Sequence, residues 1–264
     1  MELSFSKFEE HIFLNTVLIE NMTDGEAGTG FFVKKFVDEK TIKILVFSNK
    51  HVFWGKKDKD NKNVQKQLRL TFHIKDTAGS FVTTSTKSFT IDLKRSQEGY
   101  FDHPDQGVDV GCMNISEVFN SDLVHVSTLD IEKRYCDYDY VNIMGGQQIF
   151  FVGYPSLFYD KKNYLPIMRT GIIASVPRID FNGERCVLVD APVFGGSSGS
   201  PVFITHNGNY KLLGIISQSV SVVCNFIPVQ VPAAESKTAH RPVESLNIGI
   251  VFKKETIQEL LALV

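Results

Sequence analysis

The sequence predicts an all-β protein of two six-stranded antiparallel β-barrels with a C-terminal α-helix, and three observations lead there. Short apolar, β-branched and aromatic runs recur along the 264 residues and fall into two sets of six. Alternation is visible inside them. In Leu68-Arg69-Leu70-Thr71-Phe72-His73-Ile74-Lys75 the even positions are apolar and the odd ones polar, which predicts a strand with one wet face. Helical spacing is clear only at the end of the chain, where Ile257, Leu260, Leu261 and Val264 follow the i, i+3, i+4, i+7 pattern of one apolar face.

The first set of strands covers roughly residues 13–20, 28–36, 41–48, 67–75, 88–93 and 108–115. The second covers roughly 148–153, 167–176, 186–190, 201–204, 211–219 and 247–252. Residues 1–122 then form the first barrel, and 123–264 the connection between the barrels, the second barrel and the terminal helix. Ser6-Lys7-Phe8-Glu9 has the spacing of a capping box and predicts a short N-terminal helix. The polar stretch from Pro228 to Pro242 reads as a loop that either borders a binding site or makes an excursion, with the excursion favoured.

Composition agrees with a soluble globular protein. The chain is 43% hydrophobic and 22% charged, enough apolar content for a large core. A net charge of -2 makes no case for nucleic acid, and the cluster Lys56-Lys57-Asp58-Lys59-Asp60-Asn61-Lys62 has mixed sign, as a solvated loop between strands would. Met1-Glu2-Leu3-Ser4 lacks the basic and apolar regions of a secretory signal. No run approaches the ~18 apolar residues of a membrane span, so no membrane partner is expected and the expected location is cytoplasmic. Cys112, Cys136, Cys186 and Cys224 are widely spaced within apolar text, which predicts buried free thiols and no metal site. The sequons at Asn21-Met22-Thr23 and Asn114-Ile115-Ser116 read as chance matches.

Chemistry concentrates in Phe194-Gly195-Gly196-Ser197-Ser198-Gly199-Ser200-Pro201, a serine in a glycine-flanked turn between apolar runs. Glycines let the backbone bend and let a substrate carbonyl approach, while the amides of Gly196 and Ser198 can point together at an oxyanion. Taken alone, such a loop is as well explained as a connection between strands. Upstream, Leu45-Val46-Phe47-Ser48-Asn49-Lys50-His51-Val52 runs from a strand into a histidine, and Val108-Asp109-Val110-Gly111 opens another apolar run with an aspartate. His51 alone is equally a structural histidine, and Asp109 could merely solvate a strand start, with Asp105 as a rival carboxylate. Three such residues in the order His51, Asp109, Ser198 make a nucleophile, base and orienting acid the better reading.

With Gly28-Thr29-Gly30-Phe31-Phe32-Val33 before the histidine strand, Asp190 to Pro201 around the serine, Leu213-Gly214-Ile215-Ile216-Ser217 and Asn247-Ile248-Gly249-Ile250-Val251, nearly the whole chain resembles the trypsin-like serine peptidases. The resemblance is to their bacterial, HtrA-like branch without disulfides. It implies the two-barrel chymotrypsin fold, a His51-Asp109-Ser198 triad, an oxyanion hole from Gly196 and Ser198, and a protein or peptide as substrate, with no cofactor. It also implies a primary specificity pocket with Pro192 at the floor, Val193 beside it, and Ser217, Gln218 and Ser219 along the wall. None of these is charged, so apolar residues are expected on the acyl side, with Asp190 the carboxylate that would change this by turning inward. Val52 and Ser197 stand where secreted trypsins have a cysteine and an aspartate, so neither the local disulfide nor the zymogen switch is expected. No peptide-binding domain of the kind that often follows the peptidase is expected. Two alternatives stay open, a catalytically silent binding module and the protease part of a system activated by a regulatory protein partner.

Overall fold

The computed structural model describes residues 11–39, 41–58, 64–75, 81–94, 99–119, 123–223 and 243–264. The first half contains β1 (Thr16–Asn21), β2 (Glu26–Phe36), β3 (Ile42–Ser48), α1 (Lys50–Trp54), β4 (Gln65–Lys75), β5 (Phe81–Lys94), β6 (Tyr100–Asp102), β7 (Gly111–Asn114), α2 (Ser116–Phe119) and β8 (Val124–His125). The second contains β9 (Gln148–Gly153), β10 (Ile167–Ile173), β11 (Cys186–Asp190), β12 (Pro201–His206), β13 (Asn209–Val223), β14 (Val243–Lys253) and α3 (Lys254–Ala262).

The two-part all-β architecture with its terminal helix is as expected, and the two parts close differently. The second half is a closed antiparallel barrel in the order β10-β11-β14-β13-β12-β9. The first is an eight-stranded curled sheet, β5-β4-β1-β2-β3-β7-β6, with β8 pairing β4. Its two additional short strands, β6 and β8, carry too few residues to show a period in the sequence. The capping-box segment, Cys224 and the stretch 228–242 lie outside the described residues.

The middle of β2 and the second half of β3 are buried on both faces, which is why Phe31-Phe32-Val33 and Leu45-Val46-Phe47 read as apolar runs without alternation. Phe31, Val33, Leu45 and Phe47 enter a core shared with Phe203, Leu212 and Phe252 of the barrel and with Ile257, Leu260 and Leu261 of α3. On the opposite face, Phe32 and Val46 pack with Phe53, Trp54, Leu68 and Leu70 inside the first sheet. The barrel interior is filled separately by Ile149, Phe151, Val187, Val202, Ile204 and Val251. Shared core between the halves thus fixes one against the other. Cys112, Cys136 and Cys186 are buried and free, and burial pushes the Cys136 thiol up to about 12.

The face of β4 expected to be wet is wet only in its first part. Gln65 and Gln67 are exposed, but Thr71 and His73 are buried because the segment after β9 folds back over them. His73 Nε2 lies 2.8 Å from the Asn163 carbonyl oxygen, so Nε2 carries the proton and donates. Burial holds the His73 pKa below the ordinary histidine value, and the bond to Asn163 offsets this in part. The folded protein thus takes up a proton at His73 less readily than the unfolded chain, which gains one near about pH 6.5. Its contribution to stability is full above that pH and is lost as pH falls through it toward the folded pKa. The midpoint of thermal unfolding should therefore drop between about pH 7 and 5, and the drop should be shallower in His73→Gln. An equal slope in the two proteins would assign the pH dependence elsewhere.

Candidate active site

The histidine and aspartate are held together by the three residues that open α1. Asn49 Nδ2 donates to the Asp109 carbonyl at 2.7 Å. The buried Lys50 Nζ donates to the carbonyls of His103 and Asp105 at 3.1 and 3.4 Å. The His51 amide donates to Asp109 Oδ1 at 3.2 Å. His51 Nδ1 is 2.5 Å from Asp109 Oδ2. A carboxylate can only accept, so Nδ1 carries the hydrogen and Nε2 is left with its lone pair. Asp109 is 5% exposed, and the Ser217 hydroxyl approaches the same Oδ2 at 3.5 Å. Asp105, the rival carboxylate, is spent on its own turn, accepting from the Gly107 amide at 2.9 Å.

The serine loop is shaped by two left-handed glycines, Gly196 (φ +84) and Gly199 (φ +87). A Cβ at Gly196 would collide with the Tyr154 carbonyl, and one at Gly199 with the Thr29 carbonyl, so only glycine fits. The Gly195 carbonyl accepts from the Ser156 amide at 2.5 Å and the Ser197 carbonyl from the Ser200 amide at 3.0 Å. A trans peptide is planar with its C=O and N–H opposed. Anchoring those two carbonyls therefore turns the amides of Gly196 and Ser198 the other way, and neither amide has an acceptor among the described residues. Ser156, which braces this arrangement, and its neighbour Leu157 both sit at positive φ, 48° and 56°, a conformation that costs a non-glycine residue of order 1–3 kcal/mol.

His51, Asp109 and Ser198 line one cleft of about 370 Å³, together with Val193, Ser217, Gln218 and Ser219. The Ser198 hydroxyl donates to the Ser217 carbonyl at 2.9 Å, a bond it must leave to give its proton to His51. Ser197 and Ser200 are buried, and their hydroxyls have no partner among the described residues. Pro192 is half-buried and outside the cleft lining. The apolar side chain from that segment is instead Val193, packed where a Cβ on Gly249 would come within 2.7 Å of its Cγ2. Asp190 ends β11 exposed and also lies outside the lining.

Sequence reasoning missed several residues of the site. Lys56, read as part of a solvated loop, is exposed yet lines the cleft. Phe194 also lines it, with the Arg169 guanidinium 4.7 Å from its ring centre. Asn49 and Lys50 were visible as neighbours of His51, but nothing local marks them as holding the aspartate loop. Ser156 carries no sequence signal at all.

A family model described as a trypsin-like peptidase domain matches residues 28–215, a span that holds His51, Asp109 and Ser198. A search of curated proteins returned no match. Among solved structures, the chain is similar to the crystal structure of Deg5, at 14% identity and a TM-score of 0.47 over 82% of this chain and 88% of that one. It is also similar to a thermostable serine protease, AL20, from an extremophilic microorganism, at 12% identity and a TM-score of 0.48 over 97% of each chain. The family match covers most of the chain, from β2 through the loop of Ser198 into β13; the protein belongs to the family of trypsin-like peptidase domains and is a trypsin-like serine peptidase.

Proposed function

We propose that the chain is an endopeptidase acting through a His51-Asp109-Ser198 triad and an acyl-enzyme. The observation that carries this is the 2.5 Å contact of His51 Nδ1 with Asp109 Oδ2, on a cleft that Ser198 shares. With Nδ1 protonated, Nε2 is the base. It takes the Ser198 proton as Oγ bonds to the scissile carbonyl carbon, and Asp109 stabilises the imidazolium that forms. The carbonyl oxygen becomes an oxyanion, for which the amides of Gly196 and Ser198 are the free donors. Nε2 then returns the proton to the leaving amine as the C–N bond breaks. Water attacks the acyl-enzyme by the same route, releasing the acid and restoring Ser198. The present bond from Ser198 to the Ser217 carbonyl fits a resting site, since a catalytic bond such as that from Ser198 to His51 often tightens only when substrate binds.

The cleft supports a preference for small or medium apolar side chains on the acyl side. Val193 supplies apolar surface, and Ser217, Gln218 and Ser219 are neutral. Among the described residues, Asp109 is the one lining carboxylate, and it is engaged by His51. Lys56 adds positive charge. A lysine or arginine side chain would give up its hydration with no anion to receive it, a cost of several kcal/mol. A peptide-library cleavage profile should show Val, Ala or Leu at that position, with Lys and Arg disfavoured by roughly 10²-fold or more. A profile dominated by basic residues would overturn this and point to a carboxylate reaching the cleft, Asp190 first.

A further inference from the structure

We infer that Thr29 is a positioning residue that registers the nucleophile loop of the second half against the histidine of the first. The inference rests on the reading of Ser198 as nucleophile. Thr29 lies in β2 and is fully buried. The pairing of β2 with β3 runs only from Phe36↔Ile42 to Phe31↔Phe47, so beyond Phe31 that edge of β2 is free to receive something else. It receives the nucleophile loop. The Thr29 amide donates to the Ser198 carbonyl at 2.8 Å. Its hydroxyl donates to the Gly196 carbonyl at 2.7 Å and accepts from the Tyr154 amide at 3.0 Å. Its carbonyl accepts from the Ser48 hydroxyl at 2.6 Å, three residues before His51.

The consequence follows from peptide planarity. Within the second half, Ser156 and Ser200 fix the peptide planes that carry the amides of Gly196 and Ser198. Thr29 fixes the two planes that alternate with them, those of the Gly196 and Ser198 carbonyls. With four successive planes set, the backbone angles at Gly196, Ser197 and Ser198 have no freedom left. The direction of the Ser198 Cα–Cβ bond is set with them. Tyr154 lies two residues before Ser156, so the same hydroxyl also holds the chain that leads to the brace of the Gly195 carbonyl. Because Ser48 ties the same residue to the strand leading into His51, base and nucleophile take their mutual distance from Thr29.

The test compares Thr29→Val, which keeps the shape and removes the hydroxyl, with Thr29→Ser, which keeps the hydroxyl. The probe is a fluorophosphonate, read as the rate of labelling of Ser198 across a pH series. Thr29→Val should label about 10²-fold more slowly, the cost of misplacing reacting groups by an ångström or so, with the pH dependence unchanged because His51 and Asp109 are intact. Thr29→Ser should label close to the wild-type rate. Wild-type labelling in Thr29→Val, or equal losses in the two variants, would overturn the inference. Thermal unfolding checks each fold, and Thr29→Ala replaces the valine variant if that one does not fold. Amide hydrogen exchange over residues 196–199 reads the same hold without any activity; it should accelerate in Thr29→Val while the β2 and β3 amides stay protected, and an unchanged pattern counts against Thr29. If wild-type protein took no label at all, the peptidase site as read here would fail, whereas the exchange measurement would still decide the role of Thr29.

Discussion

Ser198→Ala should abolish fluorophosphonate labelling and lower peptide hydrolysis by roughly 10⁶-fold, the loss that removal of a serine nucleophile brings in enzymes of this type. The neighbouring hydroxyls cannot substitute. Ser198 lines the cleft beside His51, whereas Ser197 is 1% and Ser200 0% exposed, and neither lines the cleft. Ser197→Ala and Ser200→Ala should therefore keep their label, with any loss tracking a change in thermal stability. The fold should survive Ser198→Ala itself, since its hydroxyl makes a single bond to the Ser217 carbonyl, and losing one such bond costs about 1 kcal/mol. Retained labelling in Ser198→Ala with loss in Ser197→Ala would move both the nucleophile and the oxyanion donors by one residue.

Asp109→Asn should lower kcat by about 10⁴-fold with little change in KM. The reason is the tautomer. The carboxylate accepts from His51 at Nδ1 and from the His51 amide at Oδ1. An asparagine can satisfy the amide through its oxygen only by presenting its NH₂ to Nδ1, which then must accept. The imidazole hydrogen moves to Nε2, and the lone pair that would take the serine proton is gone. The geometry around it survives because Asn49 and Lys50 bind main-chain carbonyls of the aspartate loop and not its carboxylate. A loss below about tenfold at matched thermal stability would show that Asp109 does not orient the base, and Asp105→Asn would then be the variant to examine.

Much of the site was readable because its signals are local. A glycine-bounded serine turn needs positive φ at fixed places, and Gly196 and Gly199 supply it. The long strands β2, β3 and β11 to β14 carry apolar runs or alternation over enough residues to show their period. The i, i+3, i+4 spacing of Ile257, Leu260 and Leu261 is the buried face of α3. Pocket detail was less readable. The resemblance puts Pro192 at the pocket floor, but which side chain lines the cleft depends on how β11 and β14 pack, and Val193 lines it.

The sequence by itself determined the strand-rich two-part architecture, the terminal helix and the order His51, Asp109, Ser198, because periodicity and turn chemistry are written in neighbouring residues. Only the tertiary structure decided that the first sheet curls without closing, and that the second part of β4 is covered. It alone placed Asp109 and not Asp105 against the imidazole. It also decided what holds the loop around Ser198. The bonds responsible join residues far apart in the chain, 167 positions for Thr29 to Gly196 and 125 for Thr29 to Tyr154. A threonine that makes them looks, in sequence, like any other threonine favoured in a strand by its branched side chain.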